Sequence, residues 1–186
     1  MATIKRYHWA INKSEYLTGL ANDNFKDTWS DDLSIAPQKP GKSTYEEFYP
    51  MLKRIPWMWE RKEINQESRL RTRLSRPGTQ LVHLKANDAV IGFALLADPR
   101  IPLTKKFGYA ADNKRVKEIE DLALFPDEAG KGRGTAYFEM FFKMLFEEYD
   151  VVYWSQSETN HPGLYAYYER MGMNHIGTTE EPDFRV

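Results

Sequence analysis

The sequence predicts an α/β fold of the α+β kind, a single domain with a mixed, mostly antiparallel central sheet flanked by helices. Three observations carry this. The hydrophobic spacing changes from helical to short β-branched runs after Pro77-Gly78. A strand closed by Pro126 leads through a glycine-rich loop into an aromatic-rich amphipathic segment. The elements then follow in the order strand, helices, antiparallel strands, glycine loop, helix, strand, helix, strand, which suits a mixed sheet. A chain of 186 residues, 41% hydrophobic and 28% charged, is long enough for one core that buries roughly 70% of the unfolded surface.

Residues 3–11 (TIKRYHWAI) are β-branched and aromatic and form a first strand, stopped at Asn12 to Ser14. From Ser14 to Pro77 the pattern is helical but divided by Pro37, Pro40, Pro50 and Pro56. Ser14 is placed to cap a turn carrying Tyr16, Leu17 and Leu20, and Ser43-Thr44 open another helix ahead of Glu46, Glu47 and Phe48. The stretch from Arg61 to Arg76 is rich in Arg and Lys and reads most simply as a solvated helix face. Residues 79–86 and 89–97 are strands joined at Asn87-Asp88, a hairpin signal. A polar stretch, 104–115, leads to a strand at 116–125 (VKEIEDLALF). The loop 127–134 (DEAGKGRG) precedes a helix at 135–148, where Phe138, Phe141, Phe142 and Leu145 recur at helical spacing. A strand at 150–156, a short helix at 162–171 ending at Gly172, and a polar hairpin around Thr178 to Pro182 complete the chain.

Composition closes several functional classes. With 26 Lys+Arg against 27 Asp+Glu the net charge is −1, which argues against a globally basic nucleic-acid binder. The absence of Cys excludes disulfides, thiolate zinc sites and Cys nucleophiles. His8, His83, His161 and His175 show no ligand spacing, so no metal is expected. No apolar run approaches the ~18 residues of a membrane span and no leader pattern opens the chain, so a soluble cytoplasmic protein without membrane contact is expected.

Two glycine stretches invite phosphate chemistry. Residues 36–43 (APQKPGKS) end like a phosphate-binding P-loop, but Ala36 replaces its first glycine, Pro37 and Pro40 remove amides, and no hydrophobic strand is expected ahead of it. Residues 130–134 (GKGRG) are not a dinucleotide fingerprint, because Thr135 stands where a glycine or alanine is needed. What they do offer is a strand, a proline and a glycine turn entering a helix. Unpaired amides and the positive end of the helix dipole meet there, a setting for an anionic group such as a pyrophosphate.

The run 119–135 (IEDLALFPDEAGKGRGT) with its aromatic-rich helix, then 151–160 (VVYWSQSETN) and 167–173 (YYERMGM), resembles the GNAT superfamily of acyl-CoA-dependent N-acyltransferases. In that family a strand ending in hydrophobic-x-Pro leads to an Arg/Gln-x-x-Gly-x-Gly/Ala loop, and a later Asn precedes a Tyr-Glu-x-x-Gly-Phe helix end. The resemblance implies acetyl-CoA as co-substrate, with residues 116–172 as its binding core and 14–77 as an acceptor-side segment. Leu122, Ala123 and Leu124 then offer backbone to the pantetheine arm, while Ala129, Gly130, Lys131, Gly132, Arg133, Gly134 and Thr135 cradle phosphate and Asn160 contributes from beyond the next strand. Three positions depart from the pattern. Ala129 replaces Arg or Gln, with Arg133 in the loop at another step; the Asn160 to Tyr168 spacing is one residue longer, which puts His161 at the asparagine's place; Met173 replaces an aromatic.

Acyl transfer from a thioester to an amine through a tetrahedral intermediate needs a neutral amine, oxyanion stabilisation and a proton for the thiolate. Period-two alternation puts Glu118, Glu120, Leu122 and Leu124 on one strand face. Carboxylates on a central strand hint at a cleft. Glu120 is the favoured base, Glu118 the second, either acting directly or through a water; the plain structural alternative pairs both with Lys114, Arg115 or Lys117. Tyr168, four residues before Gly172, matches the family's general acid, although Leu164, Tyr168 and Met171 also share core-like spacing. Tyr45, Phe48, Tyr49, Trp57, Met58 and Trp59 are candidates for an acceptor site beside Glu118, Glu120 and Asp121, or for core. The acceptor is an amine of a small molecule or protein, and a homodimer is left open. The competing readings are a non-catalytic module that binds CoA, a partner protein or nucleic acid, the last through the Arg61 to Arg76 segment with Trp57 and Trp59 as stacking groups.

Overall fold

A computed structural model describes residues 3–21, 31–38, 44–55, 67–160 and 163–182. Its strands are β1 (Thr3–Asn12), β2 (Leu33–Pro37), β3 (Gln80–Ala86), β4 (Ala89–Ala97), β5 (Val116–Leu124), β6 (Val151–Ser157) and β7 (Asn174–Pro182). They form a seven-stranded mixed sheet in the order β2-β3-β4-β5-β6-β1-β7. The described helices are α1 (Lys13–Ala21), α2 (Thr44–Lys53), α3 (Glu67–Leu74), α4 (Leu103–Phe107), α5 (Arg133–Glu148) and α6 (Gly163–Arg170). None is long and apolar enough to cross a membrane. The chain packs as two compact units, Met1–Asp27 with Pro99–Ile119 and Glu139–Asp183, and Thr28–Asp98 with Glu120–Phe138 and Phe184–Val186.

In the first unit β1 is central, antiparallel to β6 with Trp9 opposite Trp154 and antiparallel to β7 with a register shift between His8 and Trp9. The start of β5 joins β6 in parallel from Val116↔Val151 to Ile119↔Trp154, where the ladder ends. Tyr165 and Tyr168 of α6 pack on Trp9 with ring centroids 4.8 and 5.4 Å away. The opposite face carries a second cluster of Ala10, Leu103, Ala111, Val151 and Tyr153. Buried His8 bridges strands, its Nδ1 2.7 Å from the Tyr153 hydroxyl and its Nε2 2.8 Å from Thr179 Oγ1. The cap of α1 is Asn12 rather than Ser14: Asn12 Oδ1 accepts from the Glu15 amide at 3.0 Å, and the Glu15 carboxylate accepts from the Asn12 amide at 2.8 Å. This reciprocal pair satisfies two amides that a serine at position 14, already inside the helix, is too late to reach.

The second unit holds β2 to β4 and residues 120–124 of β5, with Phe48, Leu52 and Ile55 of the α2 segment and Leu70 of α3 packed on Leu81, Phe93, Leu95, Ala123 and Phe125. Asn87 and Asp88 take φ of 46° and 66°, as a type I′ hairpin turn requires. Gly92 is demanded by β5, since a Cβ there would lie 2.4 Å from the Ala123 carbonyl oxygen.

Four expectations need correction. Residues 33–37 are a strand, paired with β3 from Leu33↔Ala86 to Pro37↔Val82, so a strand does lead into the P-loop-like segment; its five residues and terminal proline gave it too little pattern, and an edge position tolerates that proline. Gly41, Lys42 and Ser43 lie outside the described residues, as do Trp57, Met58, Trp59 and the Arg61 end of the basic segment. Residues 103–107 form a helix inside what reads as a polar loop. Residues 174–182 are one continuous strand along β1, not a hairpin, because β1 offers a full-length edge. Finally, α5 starts at Arg133, two residues early, because Gly132 at φ 74° already turns the chain into the helix.

Candidate active site

The glycine loop is built in the second unit. Phe125 ends β5 with its amide on the Ile91 carbonyl at 2.8 Å, and Pro126–Glu128 make one 3₁₀ turn. Gly130 and Gly132 take φ of 76° and 74°, a conformation costly for any side chain. A Cβ added at Gly130, Gly132 or Gly134 meets nothing within 4 Å, so the loop backbone faces open space. The first-turn amides of α5 lack helical acceptors there. Tyr137 anchors this turn by donating its hydroxyl to the Lys85 carbonyl; burial pushes that phenol up to about 12. Glu128 receives both loop cations, Lys131 at 3.0 Å and Arg133, and Arg133 also approaches Asp32 at 3.6 Å. Ala129 brings no charge, so Arg133 is the guanidinium nearest in sequence to the glycine turn.

On β5 the alternation holds except at Asp121: Lys117, Ile119 and Ala123 are buried, while Glu118, Glu120, Asp121, Leu122 and Leu124 are half-buried. The partners of Glu120 are not Lys114, Arg115 or Lys117. Arg73 Nε donates to Glu120 Oε2 at 3.1 Å, Arg76 Nη1 to Glu120 Oε1, and Arg73 Nη2 to Asp121 Oδ2. Arg76 Nη2 also donates to the Asp98 carbonyl at 2.6 Å. These arginine side chains are only 15% and 11% exposed, so the end of the basic segment is a nearly buried, charge-balanced clamp rather than a solvated face. Nothing in the local sequence links Arg73 and Arg76 to acidic groups more than forty residues on; only the β5 alternation marked one side of the pair.

In the first unit Glu118 stands in register with Tyr153. Burial first, and then the Glu118 charge, push the Tyr153 phenol well above its usual range. Tyr168 is 6% exposed between Trp9 and Trp154, with ring centroids 5.4 and 5.3 Å away. Burial raises its phenol strongly, so it stays protonated at physiological pH. Asn160 is exposed in the turn after β6, its amide bonded to the Ser157 carbonyl at 3.0 Å; His161 lies outside the described residues. One residue that pattern-reading passed over is Gln156, 5% exposed, whose Oε1 is buried and finds no hydrogen-bond partner among the described residues. The candidate residues therefore divide, with Glu120 and 122–135 in the second unit and Glu118, Asn160 and Tyr168 in the first.

Solved structures of similar fold include a functionally unknown conserved protein from Staphylococcus epidermidis ATCC 12228, with TM-score 0.61, 9% identity, and coverage of 96% of this chain and 60% of that one. A tandem GNAT protein from the clavulanic acid biosynthesis pathway matches with TM-score 0.55, 12% identity, and 98% and 55% coverage. The aminoglycoside acetyltransferase meta-AAC0020, from an uncultured soil metagenomic sample and in complex with trehalose, matches with TM-score 0.53, 14% identity, and 76% and 88% coverage. The chain thus spans little more than half the length of the first two. Among curated proteins none matches the chain in sequence. The model of the acetyltransferase (GNAT) family matches residues 42–173, which takes in α2, the clamp, the glycine loop and α6, and the chain belongs to that family.

Proposed function

We propose that the protein is an acetyl-CoA-dependent N-acetyltransferase that moves an acetyl group to an amine of a small molecule or protein. The observation that carries this reading is the glycine loop: positive-φ glycines facing open space at the start of a sixteen-residue helix, with two cations beside them. Backbone amides, a helix N-terminus, a lysine and an arginine are the donor set that a pyrophosphate needs.

Acetyl-CoA supplies the thioester acyl group. The residues of this chain do the rest. The amides of Gly130 to Thr135 hold the diphosphate, with Arg133 and Lys131 as counter-charges in exchange for Glu128, and Asn160 adds a polar contact. Leu122, Ala123 and Leu124 present backbone groups to the pantetheine arm. Glu120 accepts the amine proton, directly or through a water, on a lone pair that its oxygens keep beside Arg73 and Arg76; Glu118 is the second candidate. Tyr168, protonated at neutral pH as any phenol is and made a weaker acid by its burial, donates to the departing thiolate.

The arginine clamp on Glu120 and the uncharged Ala129 favour one alternative, a member that binds CoA without turnover. Arg71, Arg73 and Arg76 are engaged by carboxylates, which counts against the nucleic-acid reading. The deciding experiment measures thiol release from acetyl-CoA across a panel of polyamines, aminoglycosides, amino acids and lysine peptides. Turnover with any of them supports the enzyme; CoA binding with no turnover supports the non-catalytic alternative.

A further inference from the structure

We infer that Glu128 is an internal competitor for the phosphates of acetyl-CoA and sets how tightly the glycine loop holds them, an assignment that rests on the acetyl-CoA reading above. The loop carries two cations, and Glu128 takes both: Lys131 Nζ at 3.0 Å and Arg133 through Nη1. Arg133 also approaches Asp32 at 3.6 Å. Two cations against two carboxylates leave this cluster with no net charge, and Ala129 adds none. All four groups belong to the second unit.

The cluster is held from the Glu128 side. Glu128 is fixed in the 3₁₀ turn, its amide on the Phe125 carbonyl at 2.9 Å, and its side chain is 12% exposed. The cations are its more open partners, Arg133 at 25% and Lys131 at 49%. A diphosphate held by the loop amides meets neutral donors first, and for charge it must draw on the same lysine and arginine. A carboxylate within hydrogen-bond reach of both opposes it twice, by repelling the phosphates and by competing for those donors. Acetyl-CoA and the product CoA carry the same diphosphate, so Glu128 weakens both alike and speeds the departure of the product.

The test compares the whole protein with its Glu128→Gln variant by calorimetric titration of CoA and of acetyl-CoA at low and at physiological salt, with thermal melts of the ligand-free proteins. The expected result is binding of both ligands about tenfold tighter in the variant at low salt, a gain that shrinks as salt screens the freed cations. The ligand-free variant should melt no higher than the parent, because its cations have lost a partner. Rising affinity without rising stability is what a merely structural carboxylate would not produce. Asp32→Asn, which touches the cluster through Arg133, should give a smaller gain of about threefold, and it carries the test if Glu128→Gln does not fold. Glu147→Gln makes the same charge change on an exposed residue at the far end of α5 and should leave affinity within twofold of the parent. Affinity unchanged within twofold or weakened in Glu128→Gln, or an equal gain in Glu147→Gln, overturns the assignment. If neither the parent nor the variants bind CoA, the acetyl-CoA reading fails and takes this assignment with it; if the parent binds CoA and Glu128→Gln matches it, only the assignment fails.

Discussion

Glu120 carries two guanidiniums, and their presence changes what the residue can do. Arg73 and Arg76 balance the charge of Glu120 and Asp121, so a cationic acceptor gains little long-range attraction from that pair and must be recognised by closer contacts. Removing one partner of a nearly buried ion pair leaves the others uncompensated. Glu120→Gln should therefore lower stability by about 3 kcal/mol and reduce kcat/KM about a hundredfold, read from melts and steady-state rates. A melting loss with kcat/KM intact would transfer the base role to Glu118, whose Gln variant is the control. Tyr168→Phe removes only a hydroxyl: about a hundredfold fall in kcat with a stability change under about 1 kcal/mol is expected of a proton donor, whereas equal losses in kcat and stability would mark a core tyrosine. Most of the β5 alternation and the core-like spacing of Tyr168 were legible in the sequence. The clamp was not, because it joins a helix to a strand with 47 residues between Arg73 and Glu120, and no local period reports such a contact.

At the scale of elements, legibility followed the strength of local signals. The Asn87-Asp88 hairpin, β5 and α5 each combine a strong period with turn residues, and all three form as elements there, with α5 starting two residues earlier than its period suggests. Strand β2 has five residues and a proline, and α4 has five residues within a polar stretch; neither completes enough of a period to be seen. Strand β7 is specified by the exposed edge of β1 rather than by its own polar residues. Two substitutions separate structural from functional devices at this scale. Asn12→Ala removes the α1 cap and should lower stability by about 1 kcal/mol without altering CoA affinity. Gly132→Ala forces a side chain into φ 74° in the glycine loop; a loss of about 1 kcal/mol together with CoA binding weakened at least tenfold is expected. Unchanged CoA affinity in Gly132→Ala would remove the loop from the binding site.

For the molecule as a whole, stability should peak between two titration windows. Burial, aided by Lys106 and Arg6, lowers His8 from 6.5 to about 3. The unfolded chain then takes up a proton that the folded one refuses, so this contribution is complete above about pH 6.5 and is lost as pH falls toward 3. Tyr137, Tyr153 and Tyr168 are raised by burial. Their contribution is complete below about pH 10, the ordinary phenol value, and is lost as pH rises beyond it. Melts from pH 3 to 11 should show both limbs, and His8→Gln should flatten the acid one; an acid limb unchanged in that variant would assign the loss to groups other than His8. The central claim, that this GNAT chain uses its glycine loop to hold acetyl-CoA, is tested most directly by a thermal-shift titration with acetyl-CoA against an ATP control. At 100 times the dissociation constant the ligand adds about 2.7 kcal/mol, a rise of roughly 5–10 °C for a chain of this size. A rise of that order with acetyl-CoA and little with ATP is the predicted result, and a folded protein whose melting temperature does not move at millimolar acetyl-CoA would contradict it.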